Sequence, residues 1–144
     1  MTDALIVKLG GRALEAPGAL EECAGALRAI AATGRATLVL HGGGAEVTAW
    51  CQRAGLEARF ADGLRVTDAP TLEIAAAVLA GLANKRLVAA LRARDVDAVG
   101  LSVLDGGIVR AQRHVRSDVL GEVGEVASVE PALLAQLLAS GRMP

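Results

Sequence analysis

The sequence has 144 residues, of which 53% are hydrophobic, and a formal net charge of −1. This length predicts one domain with a sizeable core, and the hydrophobic content excludes a disordered chain. The balanced charge gives no electrostatic footprint for nucleic acid, and one Trp, one Phe and no Tyr leave almost nothing on which bases could stack. We therefore expect no nucleic-acid partner.

Membrane, redox and metal signals are weak. The longest uninterrupted apolar run, residues 74–83, is shorter than the roughly 18 residues that span a bilayer, and the N-terminus lacks a signal-peptide pattern. Cys23 and Cys51 fall on apolar helix faces, as expected of reduced thiols rather than a disulfide. The two histidines stand apart, so we expect no bound metal or prosthetic group. Together these features predict a cytoplasmic protein without a membrane partner.

The first part of the chain alternates strands and helices. Residues 4–9 and 36–41 are continuous apolar runs, typical of strands buried on both faces of a parallel sheet. Between them, apolar residues at helical spacing from Leu20 onward predict an amphipathic helix that ends near Gly34. A second helix follows the glycines at 42–44. This order predicts an α/β fold, a mainly parallel open sheet with helices on both faces.

The rest of the chain departs from that rhythm. Residues 59–67, centred on Asp62-Gly63, predict a hairpin. Asp68 is a suitable N-cap for a long helix over residues 71–94, with a break near Gly81 or Asn84. Three further elements are predicted: a third strand at 98–101, a hairpin of edge strands at 108–112 and 122–128, and a last helix at 131–139.

Two strands end in consecutive glycines. One stretch is Leu38-Val-Leu-His-Gly-Gly-Gly-Ala45, and the other is Leu5-Ile-Val-Lys-Leu-Gly-Gly11. Glycine lets the backbone approach a ligand closely, and a helix N-terminus adds unpaired N–H groups and a positive dipole end. A strand, glycines and a helix in that order predict a site for a phosphate or a carboxylate.

Generic phosphate and hydrolase motifs do not fit. The chain contains neither a Walker A loop nor the dinucleotide fingerprint. His41-Gly-Gly-Gly44 matches the oxyanion loop of some esterases, but the required Gly-x-Ser-x-Gly elbow is incomplete at Ser102. The esterase hypothesis would require Ser102 to react with serine-directed probes.

Several short motifs arrive in one order and spacing. They are Val7-Lys-Leu-Gly-Gly11, Leu40-His-Gly-Gly-Gly44, Asp62-Gly-Leu-Arg-Val-Thr-Asp68, Asn84-Lys85, Val99-Gly-Leu-Ser102 and Asp105-Gly-Gly107. The combination resembles the amino acid kinase family, and within it the acetylglutamate kinases most closely. The resemblance runs from residue 4 to residue 144 and implies a carbamate kinase-like fold.

The resemblance implies an enzyme that transfers the γ-phosphoryl group of ATP to the side-chain carboxylate of N-acetyl-L-glutamate, a step of arginine biosynthesis. Gly43 and Gly44 match the glycines whose backbone contacts the acyl substrate. Arg65 matches the arginine that grips the substrate α-carboxylate, a bidentate task that suits a guanidinium.

The resemblance also implies the nucleotide side of the reaction. Lys8 matches the lysine held to stabilise the transition state, beside backbone N–H groups of Gly10 and Gly11 that would face the phosphates of ATP. ATP and Mg²⁺ are implied as the co-substrate of the complete enzyme. Phosphoryl transfer requires positioning and positive charge more than covalent chemistry.

Each of these residues also has a structural interpretation. Lys8 and Arg65 could be surface charges, and the three glycines could serve close helix–sheet packing only. His41 is expected to be hydrogen bonded and to orient the loop, and Asn84-Lys85 to serve structure. The remaining histidine lies in a basic cluster that is predicted to be a solvated face: Arg110, Arg113, His114 and Arg116.

The match to the family has two departures. Val103 stands where many relatives have glycine. The sequence also reaches Met143-Pro144 where the α/β pattern would next supply a strand, and it shows no counterpart of the family's C-terminal ATP lobe. Residues 1–144 therefore resemble an N-terminal lobe that binds acetylglutamate and dimerises, and we expect it to be inactive alone.

The resemblance bears on assembly as well. Only three residues precede the first strand, which leaves no room for the N-terminal helix of arginine-inhibited hexamers and implies a homodimer. We expect residues 74–82 to contribute to it, because that segment is apolar nearly all round. Two rival functions remain open: an aminoadipate-type kinase of lysine biosynthesis, and a non-catalytic fragment that binds acetylglutamate or regulates a partner.

Overall fold

The computed structural model describes residues 3–10, 14 and 16–144 of the chain. Its strands are β1 (Leu5–Leu9), β2 (Thr37–His41), β3 (Phe60–Ala61), β4 (Leu64–Arg65), β5 (Val109–Arg113) and β6 (Gly124–Val129). Its α-helices are α1 (Ala19–Ala31), α2 (Gly44–Arg53), α3 (Ala69–Ala76), α4 (Asn84–Arg92), α5 (Ser117–Leu120) and α6 (Ala132–Ala139). The α/β class predicted from the sequence is confirmed.

The two predicted apolar strands form a parallel pair. β1 and β2 run in register from Leu5 opposite Thr37 to Leu9 opposite His41, with α1 as the connection between them. The helix ends where glycine was expected to end it, since Gly34 has a φ of 74°. Because parallel strands end at the same edge, the glycine-rich stretches after β1 and β2 begin side by side.

The two faces of this parallel pair differ. Val7, Leu9 and Val39 pack on a core cluster whose buried members include Leu27 of α1 and Leu87 of α4. Side chains alternate across a strand, so the residues between them point to the opposite face. On that face Ile6 is 63% exposed and Leu40 is 53% exposed.

The third strand predicted at residues 98–101 is largely wrong. Only Ala98 pairs, through an isolated parallel bridge to Met143. Met143 receives a hydrogen bond from the N–H of Val99, and Pro144 receives one from the N–H of Val39. Residues 143–144 therefore lie between β2 and the segment around Ala98. The apolar run at residues 98–101 correctly predicts that Ala98 is buried. It does not predict the pairing, because the partner, Met143, is remote in sequence.

The long helix continues through its predicted break. Between α3 and α4 the chain forms a π-helix, Ala77–Ala83, without leaving helical geometry. Asp68 caps the start of α3 as predicted, because its carboxylate accepts a hydrogen bond from the N–H of Thr71 at 3.0 Å. The whole segment Ala69–Arg92 is long and apolar enough to pass for a membrane span by composition alone. Buried core helices of soluble proteins pass that test too, but only 22% of this window is buried, with Val78 packed against Val47 and Cys51 of α2.

Both predicted hairpins are confirmed. β3 and β4 pair antiparallel around Asp62 and Gly63, whose positive φ values of 49° and 80° are those of a two-residue primed turn. β5 and β6 pair antiparallel with a register shift at Arg110. They form a separate two-stranded ribbon within the described part of the chain.

The basic cluster on the second hairpin is largely the solvated face that was predicted, since Arg110 and Arg113 are exposed. Arg116 forms an ion pair with Asp62 of the first hairpin, and Arg113 lies 3.5 Å from Glu122. The side chain of His114 is only 17% exposed and lies 3.4 Å from Glu125. Charge composition alone could not show these acceptors, because Asp62 is remote in sequence.

Candidate functional site

The glycine loop, residues 42–44, joins β2 to α2. The N–H of Gly42 donates to the carbonyl of Leu9 at 3.0 Å, which holds the loop beside the end of β1. Gly43 is the N-cap of α2, and the carbonyl of Gly43 accepts the helix's first bond from the N–H of Val47 at 3.0 Å. The first N–H groups of α2 therefore have no acceptor within the helix and are available to an anion.

Close packing gives a structural reason for glycine at one of these positions. A Cβ atom at Gly43 would lie 2.9 Å from Cδ2 of Leu79 in the π-helix, whereas a Cβ at Gly44 would meet nothing within 4 Å. Gly43 thus allows close packing of the loop on the long helix, in line with the structural interpretation, although a shift of the Leu79 side chain would make room for a Cβ. Gly44 is exposed and sterically open.

The first hairpin delivers Arg65 to the glycine loop. The turn at Asp62-Gly63 sets a register in which Arg65 faces Phe60, and the guanidinium carbon lies 4.8 Å from the centroid of the phenyl ring. A guanidinium over an aromatic face is attracted by the ring quadrupole. The local turn thus positions the guanidinium of Arg65 beside the start of α2, although Gly44 lies 21 residues earlier in the chain.

The hydrogen bonds of Arg65 use only part of its donor capacity. Nη2 donates to the carbonyl of Gly44 at 2.9 Å and to the hydroxyl of Thr48 at 2.7 Å. Nη1 is buried and has no hydrogen-bond acceptor within the described chain. A buried donor without an acceptor is costly, so Nη1 is suited to an anionic ligand. The bidentate grip predicted from sequence would require Nη2 to release Thr48 or Gly44.

A second contact anchors the segment that carries Arg65. The N–H of Thr67 donates to Leu120 at 3.0 Å, and the carbonyl of Thr67 accepts from Glu122 at 2.7 Å. Between them lies Gly121, with a φ of 70°, where a Cβ would lie 2.4 Å from the carbonyl oxygen of Thr67. No residue other than glycine fits this crossing. The second hairpin therefore supports the strand that positions the arginine.

The remaining predicted residues lie at the end of β1. Lys8 is exposed and pairs in register with Leu40, on the uncovered face of the parallel pair. Gly10 is exposed, and a Cβ there would meet nothing within 4 Å. Gly11 lies outside the described residues. Lys8 and Gly10 thus share the strand-end edge with the glycine loop, while Gly44 and Arg65 are in direct contact.

The site is not an enclosed pocket. The cavity beside Gly42 and Gly43 has a volume of about 40 Å³ and is lined also by Glu46 and Arg86. That is room for one or two water molecules rather than an acyl amino acid. A larger open groove of about 770 Å³ lies away from the glycine loop, along the long helix and Trp50. Neither cavity is lined by Arg65, so a ligand would reach its buried Nη1 only after a local rearrangement.

The esterase hypothesis requires a histidine base beside Ser102, and the structure does not place one there. The hydroxyl of Ser102 donates to Asp105 at 2.9 Å, and the N–H of Ser102 donates to the same oxygen at 2.6 Å. These two bonds, the backbone one first, hold the pKa of Asp105 below its ordinary value of 3.8. His41 and His114 have other partners, so no histidine is hydrogen bonded to Ser102 in the described structure.

His41 is hydrogen bonded, as predicted. Its Nδ1 contacts the carbonyl of Gly42 at 3.0 Å, and its Nε2 lies 3.1 Å from the amide nitrogen of Asn84. The contact between His41 and Asn84 was not predicted, since Asn84-Lys85 was expected only to serve structure. The signal for it was an asparagine inside an otherwise apolar helix, where a polar side chain needs a partner.

Comparisons with known proteins establish the family of this chain. The family model described as the amino acid kinase family matches residues 3–144. The chain belongs to the amino acid kinase family.

Two curated relatives are similar to the chain in sequence, and one solved structure shares its fold. The chain is 42% identical to the acetylglutamate kinase of Symbiobacterium thermophilum over 97% of its own length and 50% of the relative's. It is 49% identical to the acetylglutamate kinase of Methanopyrus kandleri over 75% of its length and 46% of the relative's. The crystal structure of smu.665 from Streptococcus mutans superposes with a TM-score of 0.86 at 23% identity, over the whole chain and 58% of that protein. This amino acid kinase chain thus spans about half the length of the curated relatives it matches.

Proposed function

We propose that this chain is the acyl-substrate lobe of an acetylglutamate kinase and that residues 1–144 bind N-acetyl-L-glutamate. The observation that carries the proposal is the buried Nη1 of Arg65, which has no acceptor in the described structure and lies beside the N-terminus of α2. The curated relatives named acetylglutamate kinase support this substrate over the aminoadipate alternative.

The substrate's two carboxylates would have different tasks. The α-carboxylate would accept hydrogen bonds from Nη1 of Arg65, and the acyl part would lie against the backbone of Gly43 and Gly44. A charged donor and acceptor form a stronger bond than a neutral pair. The side-chain carboxylate would then be free to react.

In the complete enzyme ATP would supply the phosphoryl group. A bond would form between an oxygen of the side-chain carboxylate and the γ-phosphorus, while the bond from that phosphorus to the bridging oxygen breaks and leaves ADP. The attacking carboxylate is already ionised, so the step needs no general base. Lys8 would stabilise the negative charge of the transferring group, and backbone N–H groups of Gly10 and Gly11 would face the phosphates.

Magnesium would accompany the nucleotide. Within the described residues no group of three or more His, Cys, Asp or Glu side chains is placed to hold a metal ion. The role of this chain's own residues is therefore to bind and orient the acyl substrate and to supply positive charge. A cytoplasmic location is part of this proposal, since the relatives are named as acetylglutamate kinases.

We also propose that two copies pair through the long helix. The open groove along it is lined by Trp50, Ile74, Val78 and Leu82, and Leu79 and Leu82 are 36% and 39% exposed. Pairing would remove this apolar surface from water. We expect a dimeric mass by sedimentation at micromolar concentration, shifted towards monomer in Leu82→Glu. A monomeric wild-type mass would contradict the dimer.

Calorimetric titration tests the substrate assignment. N-acetyl-L-glutamate, L-glutamate and N-acetyl-L-aminoadipate are titrated separately into wild type and Arg65→Ala. We expect preference for N-acetyl-L-glutamate and an affinity loss in the variant of about 10- to 100-fold, the cost of a charge-assisted hydrogen bond.

Arg53→Ala is the matched control. The guanidinium of Arg53 also stacks on a ring, 5.0 Å from the centroid of Trp50, but Arg53 is exposed on the last turn of α2. We expect it to bind like wild type. Equal affinity of wild type and Arg65→Ala, or no binding by folded wild type, would refute the proposed site. Preference for N-acetyl-L-aminoadipate would instead indicate the aminoadipate-type kinase.

A further inference from the structure

A chain of hydrogen bonds reaches the glycine loop from the long helix. Nζ of Lys85 donates to the side-chain oxygen of Asn84 at 3.0 Å and to the carbonyl of Gly100 at 3.2 Å. The amide nitrogen of Asn84 lies 3.1 Å from Nε2 of His41, and Nδ1 of His41 lies 3.0 Å from the carbonyl of Gly42. The series links α4, β2 and the loop.

The chemistry of the two ends fixes the direction of every bond. A lysine ammonium only donates, so the oxygen of Asn84 must face Lys85 and its NH₂ group must face His41. Nε2 of His41 must then accept. At the other end the carbonyl of Gly42 only accepts, so Nδ1 of His41 must carry the proton. Both ends therefore require the same neutral tautomer of His41.

We propose that Asn84 is a positioning residue that sets the tautomer of His41 and, through it, the orientation of the peptide between Gly42 and Gly43. A peptide unit is planar and trans, so its C=O and N–H point to opposite sides. Holding the Gly42 carbonyl against His41 directs the N–H of Gly43 away from the ring. That N–H belongs to the anion-binding end of α2.

The packing around Asn84 supports this role. Asn84 is only 6% exposed, and it follows directly on the π-helix. Such segments frequently occur at functional sites, because the extra residue in the turn redirects side chains. A Cβ at Gly100 would lie 2.1 Å from the side-chain oxygen of Asn84. Gly100 thus leaves the space that the amide occupies, and the amide cannot turn away without losing its buried partners.

The decisive variant is Asn84→Asp, which keeps the shape and replaces the donor by an acceptor. Nε2 of His41 then faces a carboxylate while Nδ1 still faces a carbonyl, and protonation of both ring nitrogens gives each acceptor a donor. We expect ¹⁵N spectra of histidine-labelled protein near neutral pH to show Nδ1 alone protonated in wild type and both nitrogens protonated in the variant. His114→Asn assigns the signals, since the chain has two histidines.

Two controls separate positioning from general damage. Gln136→Glu makes the same amide-to-carboxylate change on the exposed surface of α6 and should leave the ring of His41 unchanged. The amide resonances of Gly43 and Gly44 should move in Asn84→Asp and stay in place in Gln136→Glu. This arm requires no ligand and is independent of the proposed function.

The third measurement, the affinity for N-acetyl-L-glutamate, rests on the proposed function. We expect Asn84→Asp to weaken N-acetyl-L-glutamate binding about tenfold, the equivalent of one misdirected hydrogen bond. A protonated Nε2 in wild type, or an unchanged ring in Asn84→Asp, would overturn the inference. So would a changed ring with unmoved Gly43 and Gly44 resonances. If wild type binds no acetylglutamate, the proposed function fails, and the spectra alone decide the role of Asn84.

Discussion

The two faces of the parallel pair have opposite characters. One face packs Val7, Leu9 and Val39 on α1 and α4, and its neighbours Leu27 and Leu87 are 2% and 3% exposed. The other face carries Ile6 and Leu40, both more than half exposed, and Lys8, which lies opposite Leu40. The packed face therefore supplies stability, while the open face presents the candidate catalytic lysine.

The glycine loop at the end of β2 also has a packed side and an open side. Gly43 packs against Leu79 on the side of the long helix, and Gly44 is open to solvent beside Arg65. Rigid support on one side and exposure on the other suit a site that must hold backbone donors still for an incoming anion. Because the two faces of the parallel pair are buried to different extents, substitutions on them should change the unfolding free energy by different amounts.

The largest expected effect is on the packed face. Leu27→Ala removes a side chain that is 2% exposed and leaves a cavity in the core, which should cost about 2–5 kcal/mol of unfolding free energy. Ile6→Ala on the open face should change it by less than about 0.5 kcal/mol. Urea unfolding of both variants measures the contrast, and similar losses would show that the open face is covered in solution.

A smaller effect is expected where the loop support is tight. Gly100→Ala would place a Cβ 2.1 Å from Asn84 and 2.7 Å from Val88, and such overpacking should cost about 1–3 kcal/mol. Gly25→Ala in the middle of α1 meets no atom within 4 Å and should stabilise by about 1 kcal/mol through helix propensity. Thermal unfolding compares the two. A neutral Gly100→Ala would mean that the Asn84 amide is not held in place.

The smallest effect concerns two exposed carboxylates. Hydrogen bonds from Thr71 lower the pKa of Asp68, and hydrogen bonds from Ser102 lower that of Asp105, from an ordinary value of 3.8. A lowered folded-state pKa contributes stability that is fully present above about 3.8 and is lost as the pH falls through the folded-state pKa. We expect the unfolding free energy of Asp105→Asn to fall less steeply than that of wild type at acid pH. We call this fall at low pH the acid limb of the stability curve.

Ser102→Ala refines the measurement. It removes the hydroxyl donor at 2.9 Å but keeps the backbone donor at 2.6 Å, so its acid limb should lie between those of wild type and Asp105→Asn. Unfolding free energies between pH 2 and pH 6 provide the curves. An acid limb in Ser102→Ala as flat as in Asp105→Asn would contradict the dominant role of the backbone bond.

Much of this fold could be predicted because local pattern and local environment agree. The apolar runs predicted β1 and β2, and Asp62-Gly63 predicted the first hairpin, since only a primed turn joins two strands through two residues with positive φ. Asp68 was predicted as an N-cap because its carboxylate acts only three residues away. The strand predicted at residues 98–101 was wrong because pairing depends on Met143, a distant partner.

The sequence by itself determined β1 and β2, the two hairpins, the N-cap at Asp68 and the membership of the amino acid kinase family. Tertiary structure alone decided which donors of Arg65 are occupied, which face of the parallel pair is open, and that Asn84 meets His41 across 43 residues. Periodicity and turn chemistry report interactions within a few residues of chain. Hydrogen bonds between distant residues depend on packing, and only the folded backbone sets their distances and directions.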